Sequence, residues 1–267
     1  VQTCALPISK TMKTIQHLSR TLSAAAIATA TLAAPLAVEA GYKVVDVANG
    51  GTISGSVTLK KAAPKSAHKV YNIKKDNKVC GSGERVVDYV QTNGKALLNT
   101  VVYLIKVKEG KAWGETPTEA TIDQQGCEFT PFLSILQNGG KLTALNSDPV
   151  LHNIHTYELL TGTMKGPKKT VANVSQPDQG SKVAKKVKLK KGDAMKVECD
   201  AHDFMHGFVF VAKNPYYAMV DGDGNYSINN VPPGKYKVRA FNGFLKPGKG
   251  KATVKGGDNV AVNIVMK

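Results

Sequence analysis

The sequence holds a single Trp, no long apolar run after residue 40, and almost no helical periodicity in the same region. Each scarcity excludes something. Without a stretch long enough to cross a bilayer there is no helical membrane bundle, and no transmembrane span is expected. Without apolar residues at i, i+3, i+4 spacing there is no leucine-rich helical bundle. No Gly-x-Ser-x-Gly, His-Glu-x-x-His or Cys-x-x-Cys-His occurs, so the signatures of a serine hydrolase, a zinc protease and covalent haem are missing. The His-x-His pairs that surround a trinuclear copper centre are missing as well, and an enzyme is not expected. Acidic residues are few: 20 Asp+Glu against 36 Lys+Arg leave a formal charge of +16 over 267 residues. A hydrophobic content of 42% with 21% charged residues still argues for a folded chain. Its length suffices for one large or two modest cores.

The first forty residues read as separate from the fold. Residues 1–11 look like the translation of a sequencing adapter, and Met12 is the expected start. From there Lys13 and Arg20 precede the uncharged, Ala-rich stretch Thr21 to Ala37, and Val38-Glu39-Ala40 ends it with small residues where a signal peptidase reads. Residues 12–40 are therefore expected to be a signal peptide, and the mature chain to be periplasmic or secreted. Removing residues 1–40 takes away three basic residues and one acidic one, leaving +14, so the signal does not explain the basicity.

Beyond residue 41, short alternating or β-branched runs are separated by Gly, Asn, Asp and Pro, the pattern of an all-β protein. Strands are expected at Thr52 to Leu59, Ala96 to Val107, Phe132 to Leu136, Lys141 to Leu145 and Lys182 to Lys190. Others are expected at Ala194 to Glu198, Phe208 to Ala212, Tyr217 to Val220, Asn225 to Ile228, Lys235 to Phe241 and Asn259 to Val265. Asn138-Gly-Gly140, Asp221-Gly-Asp-Gly224 and Pro232-Pro-Gly234 are strong turns. The Asp221 turn superficially suggests a calcium loop, but the downstream bidentate Glu is missing. The stretch Ala218 to Ala240 resembles the carboxypeptidase-regulatory-like (transthyretin-like) β-sandwich. That resemblance implies opening strands of the kind found at Gly51 to Thr58 and Asn99 to Leu104. The sandwich would then be discontinuous, 50–110 plus 213–267, with another domain at 113–212 inserted; three consecutive β units are the alternative.

The chemistry-bearing residues are concentrated. Four of the five histidines after residue 40 fall in Asn146-Ser-Asp-Pro-Val-Leu-His-Asn-Ile-His155 and Val197-Glu-Cys-Asp-Ala-His-Asp-Phe-Met-His-Gly-Phe-Val209. The second holds Cys-x2-His-x2-Met between two strands; the first supplies a His at the end of another. A thiolate, two imidazoles and a weak thioether form the mixed, soft set that suits both copper oxidation states. In these motifs the chain resembles the cupredoxins, with the short ligand loop of amicyanin-like members. More widely, over roughly 50–265, it resembles bacterial secreted proteins of the cupredoxin-like or methylamine-utilisation kind. The resemblance implies a Greek-key cupredoxin β-sandwich inserted in or beside the small transthyretin-like one, and one type 1 copper. His152 and His202 would be equatorial imidazoles, Cys199 the thiolate and Met205 the axial thioether. Asn153 would tie the two ligand segments together by hydrogen bonding. Two departures stand out, at Asp203 and His206. Asp203 replaces a usual Pro and is expected to bring a carboxylate near the metal. His206 is a rival axial ligand. His155, three residues from His152, should face the other side of its strand.

Cys80 and Cys127 remain; in an oxidising compartment they pair most simply as a disulfide, with a second soft-metal site as the rival. In Lys182 to Lys191, Val183, Val187 and Leu189 alternate with lysines, as on a half-buried strand with a charged outer face. Such a face either protects a sheet edge or docks an acidic redox partner; nucleic acid is not expected. The function implied is one-electron transfer, with copper trafficking or resistance without redox turnover as the alternative.

Overall fold

The computed structural model describes residues 41–267; the expected signal segment and the 1–11 stretch lie outside them. Among the described residues the chain is all β, apart from single helical turns at Lys65–Ala67 and Asn77–Cys80.

Two pairs of sheets account for nearly all of it. In the first pair, Gly51–Leu59 is the central strand of one sheet. It is flanked by Asn225–Val231 and by the short Ala96–Leu97, and it takes Asn259–Ala261 and Ile264–Met266 in parallel. The facing sheet runs Tyr217–Met219, Val101–Ile105, Gly234–Phe241, Gly248–Val254. Alternation sets the inner face: Ile53, Val57 and Leu59 are buried along the first central strand. Val101 to Leu104 are buried consecutively, because that strand is covered on both sides. The turns close as their residues require. Asp221 Oδ1 accepts from the backbone N–H of Asp223 and Asn225 at 3.0 and 2.7 Å, and the Tyr236 hydroxyl donates to the Pro232 carbonyl at 2.7 Å.

The second pair comes entirely from the intervening residues. One sheet runs Glu128–Thr130, Glu119–Gln125, Lys141–Asn146, Lys182–Lys186; the other runs Leu133–Gln137, His206–Ala212, Ala194–Glu198, His152–Leu159, Lys168–Gln176. Two of the pairings are parallel, so the chain crosses between the sheets rather than meandering along one. Ile122, Leu142, Ile154, Met195, Val197, Val209 and Val211 fill the space between them. The outer side of the five-stranded sheet is also apolar, and Phe208 and Phe210 pack there against the first pair. Tyr103 and Phe210 lie 4.8 Å apart, Phe208 and Phe241 6.1 Å, ring to ring. Burying each such side chain contributes about 1.5–3 kcal/mol.

Several expectations are corrected. Ala96 to Val107 is not one strand: it breaks at Leu98–Thr100, where Asn99 takes a left-handed φ of 46°. The strand in the lysine run ends at Lys186, although the Val187 N–H still donates to the Gly140 carbonyl at 2.8 Å, Val187 and Leu189 stay buried, and Lys188 and Lys190 are exposed. His152 opens a strand instead of ending one. The segment His68–Ile73 with Gly83–Asp88 forms a separate hairpin. Its connection places Ile73 and Cys80 in the core of the second pair.

Gly243 sits at a close approach between the two pairs. Its φ is 94°, and a Cβ there would lie 2.7 Å from the Phe208 ring. Gly243→Ala should cost about 2–4 kcal/mol, from overpacking plus a strained backbone. Chemical denaturation checks this; an unchanged midpoint would contradict the packing described.

Candidate metal centre

Three strand ends meet at one edge of the five-stranded sheet. The registers His155 to Glu198 and Glu198 to His206 bring the start of His152–Leu159, the end of Ala194–Glu198 and the start of His206–Ala212 side by side. His152, Cys199, His202 and Met205 sit at or between those ends. The loop is tight: the Met205 N–H donates to the His202 carbonyl at 3.1 Å. All four side chains are buried, none more than 3% exposed. His152 Nδ1 and His202 Nδ1 are 3.1 Å apart, and Cys199 Sγ lies 3.9 and 3.8 Å from them.

Two carboxylates decide what those nitrogens present. Asp148 Oδ2 is 2.8 Å from His152 Nε2, and Asp76 Oδ2 is 2.9 Å from His202 Nε2. An ionised carboxylate only accepts, so in the neutral rings Nε2 carries the hydrogen and each Nδ1 presents a lone pair. Asp148 is held in that form. Burial alone would raise its pKa, but the N–H groups of Cys127 and Gly126, both at 2.8 Å, and His152 bring it below the usual carboxylate range. Burial likewise lowers the His202 pKa, which keeps that ring neutral. Two lone pairs and a sulfur therefore face one another in a dry pocket. A metal bonded to imidazole and thiolate at about 2.0–2.3 Å spans gaps of this size, so the residues present fit a metal ion.

Burial raises the Cys199 thiol, against the opposing N–H groups of Asn153, Ala201 and His202. Asn153 bridges the two segments: its N–H reaches Cys199 Sγ at 3.3 Å, and its Oδ1 accepts from the Asp200 N–H at 3.3 Å. His155 lies on the opposite face of its strand, bonded to Asp200 at 3.0 Å and stacked on Tyr157. His206 points away from the donors as well, with Nε2 3.0 Å from the Tyr71 hydroxyl. Asp203 is exposed; the carboxylates that touch the imidazoles are Asp76 and Asp148 instead. Asp148 lies within the first His motif, four residues before His152. Asp76 is 126 residues from His202, and no pattern in the chain announces it.

A disulfide joins Cys80 to Cys127. Its sulfurs lie against the donors: both fall within 4.8 Å of a His202 ring nitrogen, and Cys127 Sγ within the same distance of His152 and Asp148. Being bonded to each other, they offer no thiolate. Arg85 reinforces the join. Its guanidinium donates to the carbonyls of Cys80 and Gly126 at 2.8 and 3.3 Å and to Glu128 at 2.8 Å. The hairpin carrying Asp76 is thereby riveted over the His202 edge.

No protein-family model matches this chain, and no curated protein does. Among solved structures, 35% of the chain is similar to 99% of a novel purple cupredoxin from Nitrosopumilus maritimus, at 20% identity and a TM-score of 0.29. Auracyanin A, a "blue" copper protein from Chloroflexus aurantiacus, is matched over 36% of this chain and 99% of its own, at 15% identity and a TM-score of 0.28. A copper-containing nitrite reductase from Thermus scotoductus SA-01 is matched over 36% of this chain and only 22% of its own, at 15% identity and a TM-score of 0.28.

His206 supplies a pH test. Burial first, and Lys196 second, push its pKa down from 6.5 to about 4. The unfolded chain therefore takes up this proton at a higher pH than the folded one, and stability falls as pH drops from about 6.5 to 4. The full loss is ~3 kcal/mol. In metal-free protein, His206→Gln should flatten this part of the stability profile; an unchanged slope would contradict the burial assigned to the ring.

Proposed function

We propose that this chain is a periplasmic or secreted one-electron carrier in which His152, Cys199, His202 and Met205 hold a single type 1 copper. The observation that carries the reading is the pair of Nδ1 lone pairs 3.1 Å apart beside a cysteine sulfur, each imidazole fixed from behind by a carboxylate. When bound, copper supplies reversible one-electron chemistry. The protein's part is to keep the donors where they are. Asp148 and Asp76 orient the two rings, Asn153 locks the strand bearing His152 to the loop bearing Cys199, and burial excludes water. Little then needs to move between oxidation states. Burial raises the Cys199 thiol above its ordinary pKa, so a metal held there would take the place of the thiol proton. The side chains that would hold the ion are all buried, which favours a carrier over an enzyme. The accompanying first pair of sheets is read as the carboxypeptidase-regulatory-like module, supported by the Asp221 and Pro232 turns. We expect one equivalent of Cu(II) to give an intense thiolate-to-copper band toward the red end of the visible, lost in Cys199→Ala. Full copper occupancy without that band contradicts the reading, as does tight Cu(I) retention with sluggish voltammetry, which belongs to a trafficking protein.

Electrons have a favoured route to the surface. Asp148 is nearly buried, but the Asp76 side chain is 37% exposed while touching His202. Lys74, Lys75 and Lys78 surround it in sequence and are exposed. The docking of an acidic redox partner, expected from the sequence at the Lys182–Lys191 face, is proposed here instead at these lysines, steered by charge. Lys75→Glu with Lys78→Glu should slow reduction by ferrocyanide several-fold and speed it with hexaammineruthenium(II). Equal effects on both reagents would place the entry point elsewhere.

A further inference from the structure

A second site lies far from the metal donors. Asp193 precedes the strand Ala194–Glu198 and Cys199 follows it, so a cavity beside Asp193 is about 20 Å from the donor set along the sheet. This cavity, of about 690 Å³, opens where the two pairs of sheets meet. Its walls divide sharply by chemistry. Tyr42, Tyr103, Trp113 and Phe210 make an aromatic floor, with Tyr42 and Trp113 5.4 Å apart edge to face. Six lysines line it as well: Lys106, Lys108, Lys188, Lys190, Lys191 and Lys213. The only carboxylate among the lining residues is Asp193, already paired with the Lys213 ammonium at 3.2 Å and accepting from the Tyr103 hydroxyl at 3.2 Å. Five exposed lysines with no carboxylate partner among the described residues therefore contribute to the lining of a largely apolar hollow. Part of the lysine run legible in the sequence is spent here: Val187 and Leu189 turn into the core, while Lys188 and Lys190 stay exposed at the mouth.

We propose that this cavity binds a small organic anion with a flat apolar body, an aromatic carboxylate or sulfonate. Its rings rest on the aromatic floor and its acid group sits among the lysines. Both halves of that description come from the walls. A purely apolar ligand would leave the cations uncompensated, and an inorganic anion would leave the floor wet. The volume is that of a small-molecule site. Trp113 is half-buried and offers the most reachable ring, backed by Tyr42, Tyr103 and Phe210, each at most 8% exposed.

Trp113, the only tryptophan in the chain, makes the test direct. The two probes are 1-anilinonaphthalene-8-sulfonate and N-phenyl-1-naphthylamine, which share a ring system and differ in the sulfonate. The sulfonate should quench Trp113 emission saturably, at one site per chain, with energy transfer to the dye. The neutral amine should bind at least ten-fold more weakly. Lys188→Glu with Lys190→Glu should weaken the sulfonate at least ten-fold and leave the amine within two-fold. Raised salt should weaken the sulfonate in the unaltered protein, an arm that needs no variant. Equal affinity for the two probes, insensitivity to charge reversal and salt, or dye binding without Trp113 quenching would each overturn the proposal. No copper enters the readout, so failure here leaves the metal centre untouched.

Discussion

Two imidazole lone pairs 3.1 Å apart, with a sulfur under 4 Å from both, make an arrangement that repels itself in the absence of a cation. Something must hold it. Asp148 and Asp76 hold the two rings from behind, and each carboxylate is itself fixed. Asp148 is fixed by two backbone N–H groups of the Gly126–Cys127 turn, and Asp76 by a hairpin bolted down through Cys80 and Arg85. Remove either support and the imidazoles are free to turn. Much of the architecture around this edge serves to keep three donor atoms pointed at one point.

That dependence explains the layout of the chain. The hairpin covering the donors leaves the first pair of sheets and returns to it, and the second pair is inserted between two stretches of the first. The hairpin and the donors therefore come from distant parts of the sequence yet share one core. The disulfide spans 47 residues, and closing such a loop contributes ~4 kcal/mol by chain entropy. Its energy is placed where the site needs rigidity.

How much was legible in the sequence varied with the physics behind each signal. Strands with one buried face announce themselves by alternation, and Lys141–Asn146 and Gly234–Phe241 fall where alternation puts them within one residue. Glu119–Gln125 and Lys168–Gln176 did not. The first is largely polar, and the second is an edge strand exposed over most of its length. The donor residues were readable because they lie in two short motifs whose residue types suit one chemistry. Asp148 stood inside one of those motifs with no role attached. Asp76 was invisible, since its part is set by a tertiary approach between residues 126 apart. Asp203, adjacent in sequence to His202, proved remote in effect because its side chain turns to solvent.

The central claim is that His152, His202 and Cys199 converge on one copper ion. X-ray absorption at the copper edge, on protein loaded with one equivalent, tests it most directly. Two nitrogen scatterers and one short sulfur are expected, with the shell nearly unchanged on reduction. A shell of nitrogen and oxygen without sulfur, or one that rearranges on reduction, would contradict it.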